Sequence, residues 1–141
     1  MNFRNITYSD YEQYKTLINS SISYDYLKHF IDTILNDNHV IIILEMYNKI
    51  IGTGTLFIED KLTHGGCRMG HIENILIHSE YRKKGLGVHL MKYLLHLAKI
   101  NLCYRVDLNC SDELESFYKK NGFNKKYLCM NILFKENFKM L

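Results

Sequence analysis

No stretch of this sequence approaches the roughly twenty consecutive apolar residues that a membrane-spanning helix requires. Met1-Asn2-Phe3-Arg4-Asn5 also lacks the apolar core of a secretory signal, so the expectation is a soluble, cytoplasmic protein with no membrane partner. Cys67, Cys103, Cys110 and Cys129 include no C-x-x-C pair, which argues against a disulfide framework; they read as small buried hydrophobes or free thiols. His64, Cys67 and His71 offer three metal-ligand types, but they flank Gly65-Gly66 and read more simply as loop polarity, so no metal is expected. Basic residues are not gathered into a run: 18 Lys and Arg against 15 Asp and Glu leave a net charge of +3. That balance points away from nucleic acid and toward a compact anionic ligand. Repeats, linkers and low-complexity segments are also missing, and 141 residues at 47% hydrophobic content suit one sizeable core. A single domain over residues 1–141 is expected.

What is present begins with alternation between strand and helix patterns. Phe3 to Thr7 reads as a short strand and Ser9-Asp10 as a cap for a helix with Tyr11, Tyr14, Leu17 and Ile18 on one face. A second helix starts near Ser23, carries Tyr26, Leu27, Phe30, Ile31, Ile34 and Leu35, and stops at Asn36-Asp37-Asn38. Val40 to Met46 and Ile50 to Ile58 form a hairpin about Tyr47-Asn48-Lys49, followed by a polar loop from Glu59 to Met69. His71 to His78 reads as a central strand. Leu86, Leu90, Leu94, Leu97 and Ala98 then mark an amphipathic helix. Tyr104, Val106, Leu108 and Cys110 alternate with Arg105, Asp107 and Asn109 as a half-buried strand. A short helix capped by Asp112 ends at Asn121-Gly122, and Leu128, Met130, Ile132 and Phe134 alternate as a last strand. The order β-α-α-β-β-β-α-β-α-β predicts an α/β fold, a mixed central sheet with helices on both faces.

Arg82-Lys83-Lys84-Gly85-Leu86-Gly87, between the central strand and the long helix, reads as an anion cradle. Two glycines permit a tight turn and close approach of backbone to ligand. The first N–H groups of the helix then point outward at the positive end of its dipole, which suits a pyrophosphate. The plainer alternative is a solvated basic turn.

The order of elements, Arg82-x-x-Gly85-x-Gly87 after a strand, and Phe117-Tyr118-Lys119-Lys120-Asn121-Gly122-Phe123 after the next one resemble the GNAT acetyltransferase superfamily over nearly the whole chain. More narrowly, 52–59 (Gly-Thr-Gly-Thr-Leu-Phe-Ile-Glu), 61–65 (Lys-Leu-Thr-His-Gly), 70–75 (Gly-His-Ile-Glu-Asn-Ile) and 103–106 (Cys-Tyr-Arg-Val) are similar to the glucosamine 6-phosphate N-acetyltransferases. That resemblance implies acetyl transfer from acetyl-CoA to the amine of a phosphorylated amino sugar by a homodimer, on the route to UDP-N-acetylglucosamine. It implies that the acyl-CoA chain adds alongside Ile75, Leu76 and Ile77, and that Arg82, Lys83, Lys84, Gly85, Leu86, Gly87 and Val88 hold the pyrophosphate, with Lys120 nearby. Tyr118 then offers a phenol to the departing thiolate; its alternative is a core aromatic. Glu73, Asn74, Ile75 and Asn109 fall on the sugar side, and Lys61 and His64 on the phosphate side. Ser20 or Ser21 supplies a hydroxyl there.

Three departures accompany the resemblance. Asn74 and Asn109 stand where the family carries aspartates, and Leu133 where it carries an arginine, with Lys135 close by. An amide hydrogen-bonds an amine or hydroxyl but takes up no proton at neutral pH. The alternatives to be kept are therefore a GNAT enzyme acting on another small amine or a protein amine, and a silent acyl-CoA-binding module.

Overall fold

Val40 to Leu44 is an unbroken apolar run with no side to turn to water, and Ile41 to Leu44 are all buried. They sit inside a five-stranded sheet with helices on both faces. A computed structural model describes residues 1–134, which cluster into one unit from Met1 to Leu108 and a second from Asn109 onward.

The first unit runs β1 (Asn2–Asn5), α1 (Tyr11–Leu17), α2 (Tyr24–His29), β2 (His39–Met46), β3 (Lys49–Lys61), β4 (Cys67–Ile77), α3 (Leu86–Ile100) and β5 (Cys103–Asp107). The sheet order is β1-β2-β3-β4-β5; the first three pairings are antiparallel and β4–β5 is parallel. The expected mixed sheet is therefore present. β2 and β3 join through Tyr47 and Asn48, both at positive φ (52° and 58°), the two-residue turn whose twist matches a hairpin.

Strand alternation divides the core. Ile41 and Ile43 join Ile6, Tyr14, Leu27 and Ile50 on one face, under α1 and α2, with Tyr11, Leu17, Phe30 and Ile31 packed against them. On the opposite face Gly54 and Gly70 lie against Leu94 and Ala98 of α3, whose Leu90, Met91 and Leu94 are fully buried. Of the stripe read from the sequence, Leu90, Leu94 and Ala98 are buried and Leu86 and Leu97 half-buried, while Met91, outside that reading, is fully buried beside them.

Several expectations need correcting. Asp10 does not cap α1; its carboxylate accepts from the Thr7 N–H at 2.8 Å and takes two bonds from the Arg4 guanidinium, each 2.8 Å. Ser23 does cap α2, accepting from the Tyr26 N–H, but the second helix stops being α-helical at His29 and continues as a wider π turn, Phe30–Ile34. The polar loop from Glu59 to Met69 shrinks to a tip of five residues, 62–66, because Glu59 to Lys61 pair with Cys67 to Met69. Backbone pairing there overrides side-chain polarity, which costs nothing on an exposed strand. Cys110 lies beyond the end of β5 and is exposed, as is Cys129, and Tyr104 is 63% exposed, so that strand buries less than its alternation suggests.

The second unit holds a turn at Asp112–Leu114 and α4 (Glu115–Lys120), closed at Gly122 with φ 94°. The predicted strand through Leu128, Met130, Ile132 and Phe134 is absent, and those side chains are 80–95% exposed. Alternation makes a strand only where a neighbouring edge completes the ladder, and the described residues of this unit contain no other strand. Lys135 lies outside the described residues.

Candidate active site

β4 is the strand on which the site is built. Its parallel pairing with β5 ends at His71 opposite Asp107, while β4 continues to Ile77. Beyond that point no strand among the described residues pairs with the outer edge of β4. The pairing with β3 is interrupted too: Thr53 faces Leu76, but Thr55 faces Glu73, so Gly54 alone stands against Asn74 and Ile75. This is a β-bulge, and Asn74 within it is left-handed, at φ 54°. Asparagine enters that region more readily than most residues. Asn74, expected on the sugar side, is thus the residue that forms this irregularity in the backbone.

The direction of the free edge follows from one bond. The His78 N–H donates to the Ile51 carbonyl of β3 at 2.7 Å. N–H and C=O of one strand residue point the same way and alternate from residue to residue, so Leu76 also points into β3 while Ile75 and Ile77 point outward. The outward Ile77 carbonyl accepts from Arg82 Nε at 2.9 Å. Arg82 therefore fastens the end of β4 to the turn that follows. The edge left for an extended ligand consists of both groups of Ile75 and the N–H of Ile77.

Of the two glycines expected to shape that turn, Gly85 does so, whereas Gly87 lies inside α3 without a positive φ and the second left-handed residue is Lys83. Lys83 and Gly85 are both left-handed (φ 61° and 78°), and Gly85 is the residue immediately before α3. Leu86, Gly87 and Val88 form the first turn of α3, where N–H groups lack partners within the helix and the dipole is positive. Arg82, Lys83 and Lys84 are exposed around it, and Lys84 and Lys49 each lie 5.4 Å from the Tyr81 ring. An extended edge that runs into an electropositive helix start suits a long ligand with an anionic middle.

The remaining site residues are more scattered. Glu73 and Asn74 are exposed on β4. Lys61 is the last residue of β3, its Nζ 4.0 Å from Glu59, and His64 stands on the hairpin tip with its ring stacked on Tyr104 at 5.1 Å. Lys61 pairs with Cys67, six residues from Glu73 along β4, or roughly 20 Å at strand rise. Within one chain the hairpin tip and Glu73 do not meet. In the second unit Asn109 and Lys120 are exposed, and Tyr118 is buried between Phe117 and Phe123, each edge-on to its ring. Burial, then the nearby Cys110, pushes the Tyr118 phenol above its ordinary range, so it keeps its proton at neutral pH.

Reading the sequence missed Asn74 as the bulge residue and Gly52 and Gly54 as close-approach positions. The available signals were a left-handed-tolerant residue and two glycines inside otherwise apolar strands.

Several known proteins are similar to this chain. A rice protein, described as a probable glucosamine 6-phosphate N-acetyltransferase 2, is 38% identical over 104 residues, 71% of this chain and 63% of its own length. The Arabidopsis thaliana glucosamine 6-phosphate N-acetyltransferase is 37% identical over 100 residues, 70% of this chain and 67% of its own. The chain thus spans a little under two thirds of the rice relative. A crystal structure of glucosamine-6-phosphate N-acetyltransferase from Arabidopsis thaliana superposes with a TM-score of 0.85 at 30% identity, covering 95% of this chain and 98% of that one. The family model for GNAT acetyltransferases matches residues 4–123, which takes in the parted strands, the glycine turn and α4 together. This chain belongs to the GNAT acetyltransferase family.

Proposed function

We propose that the protein transfers the acetyl group of acetyl-CoA to the 2-amino group of glucosamine 6-phosphate, releasing N-acetylglucosamine 6-phosphate and CoA by direct transfer in a ternary complex. The observation that carries this is the outward edge of β4 running into the Arg82–Gly87 turn, in a chain that is 38% identical over 104 residues to a probable glucosamine 6-phosphate N-acetyltransferase. Pantetheine pairs with Ile75 and Ile77 as an added strand, and the pyrophosphate lies on the first turn of α3. The sugar amine attacks the thioester carbonyl, the C–N bond forms as the C–S bond breaks, and the thiolate takes a proton from the Tyr118 hydroxyl. A phenol held protonated by burial suits that donation. Glu73 binds the amine and receives its proton directly or through water, while Asn74 and Asn109 hydrogen-bond the sugar.

The reading includes a single cytoplasmic domain working as a homodimer that feeds UDP-N-acetylglucosamine synthesis. Two features support the dimer. The alternating residues from Leu128 to Phe134 offer a ladder that their own unit does not complete, and Lys61 and His64 lie too far from Glu73 to hold one sugar phosphate within a chain. A second copy brings one hairpin tip to the other copy's Glu73.

Purified protein with acetyl-CoA should release free thiol on addition of glucosamine 6-phosphate, with the N-acetyl product seen by mass spectrometry. The distance between Lys61 and Glu73 also favours a second reading, an unphosphorylated or differently placed amine acceptor; faster release with glucosamine or a peptide amine would select it. Binding of acetyl-CoA with no turnover across the amine panel would instead select a silent coenzyme-binding module.

A further inference from the structure

Gly52 sits in β3 directly opposite Ile77, and its φ is not in the left-handed region, so nothing in its own backbone asks for glycine. Its surroundings do. A β-carbon there would stand 2.8 Å from Ile77 Cδ1, 3.2 Å from the Leu76 carbonyl oxygen and 3.5 Å from Leu44 Cβ. The Ile77 methyl is the end of a flexible side chain and can rotate away. The Leu76 oxygen is backbone, and Leu44, fully buried on the other side, leaves the added carbon no room to retreat.

We propose that Gly52 is a positioning residue of the coenzyme site, holding the open edge of β4 in place by leaving room for the Leu76 carbonyl. The coupling is covalent. Leu76 C=O and Ile77 N–H belong to one planar trans peptide, in which the two groups point in opposite directions. The oxygen points into β3, toward Gly52, and the N–H points outward as part of the edge described above. A group that pushes the oxygen therefore tilts the N–H. Gly54 differs: a β-carbon there meets only side-chain ends, Ile75 Cδ1 at 2.7 Å, Leu94 Cδ1 at 2.8 Å and Leu90 Cδ2 at 3.7 Å. Of the two glycines, Gly52 alone presses on the backbone of the edge.

This rests on the reading that the β4 edge receives acetyl-CoA, and the test separates the two. Acetyl-CoA binding is measured by calorimetry on wild type, Gly52→Ala and the double variant Gly52→Ala/Ile77→Val, with steady-state kinetics beside it. Removing Ile77 Cδ1 relieves the side-chain contact and keeps the backbone one, so the double variant serves if the single one folds poorly. The dissociation constant and the KM for acetyl-CoA should rise roughly 3- to 10-fold in both variants, the worth of one hydrogen bond, with kcat and acceptor KM within twofold. Wild-type affinity in a folded Gly52→Ala protein overturns the inference, as does full recovery in the double variant, which would assign the effect to Ile77 packing. Failure of the wild type itself to bind acetyl-CoA would sink the coenzyme reading and this inference with it.

Discussion

Replacing Gly85 by alanine isolates the contribution of backbone geometry to the anion cradle. Gly85 has φ 78° and ψ 6°, and a β-carbon added there meets nothing within 4 Å. Steric overlap with neighbours is therefore nil, and the whole penalty is the local one of holding an L-residue in the left-handed region, about 1–2 kcal/mol. Two outcomes share that energy. If the turn keeps its shape, Gly85→Ala loses about 1–2 kcal/mol of folding stability in urea titrations; if it relaxes in the free protein, the same energy reappears as roughly 5- to 30-fold weaker acetyl-CoA binding. Gly85→Asn should recover about half of either loss, because asparagine tolerates the conformation. Gly65 supplies the control: it has φ 76°, also meets nothing within 4 Å, and sits on the β3–β4 hairpin tip. Gly65→Ala should show the stability loss and leave acetyl-CoA affinity unchanged. Equal weakening of coenzyme binding at both positions, or wild-type stability and affinity in Gly85→Ala, would refute the reasoning.

Other perturbations probe the chemistry and the core. Tyr118→Phe removes the proton donor and keeps the ring between Phe117 and Phe123; kcat should fall about 10²- to 10⁴-fold with acceptor KM little changed, and unaltered turnover would take Tyr118 out of the reaction. Asp10→Ala should cost about 2–3 kcal/mol at pH 7, below the full figure for a buried pair because Arg4 keeps Glu45 at 3.2 Å. Burial alone would push the Asp10 carboxyl up, but the bonds from Arg4 and Thr7 outweigh it and hold it below its ordinary range. Its contribution is therefore present above the unfolded-state value of about 3.9 and disappears as pH falls through the lower folded value. Urea midpoints of wild type and Asp10→Ala should converge in that acid range, and a constant gap down to pH 2 would contradict the assignment. Leu94→Ala, at a fully buried position beside Gly54, should lose about 3–5 kcal/mol, read as a lower midpoint with unchanged slope.

How much of this could be read in advance depended on whether a feature was local. Most of the α3 stripe, the hairpin about Tyr47-Asn48 and the tight turn at Gly85 are set by residues within a few positions of one another, and they lie where the sequence placed them. The bulge at Asn74 could not be found that way, since it exists only in the mismatch between two strands. Asp10 failed for a similar reason: it has the chemistry of a cap, but Arg4 is a stronger partner. Leu128 to Phe134 carry a correct strand pattern whose fulfilment depends on an edge they do not contain. Lys61 and His64 show the same dependence in the candidate site, being close to Glu73 in sequence and separated by the length of a strand.

The bulge has one more consequence, for side-chain sidedness. In a regular strand Glu73 and Leu76, three apart, would lie on opposite surfaces, yet their partners Thr55 and Thr53 lie on one surface, with Ile41 and Ile43. The extra residue restores the match. It sends the Glu73 carboxylate to the α1 side while Ile75 and Ile77 reach Gly54 and Gly52 on the α3 side. A chain one residue shorter at this point would have to choose between the acid and the packed edge, and Asn74 lets it keep both.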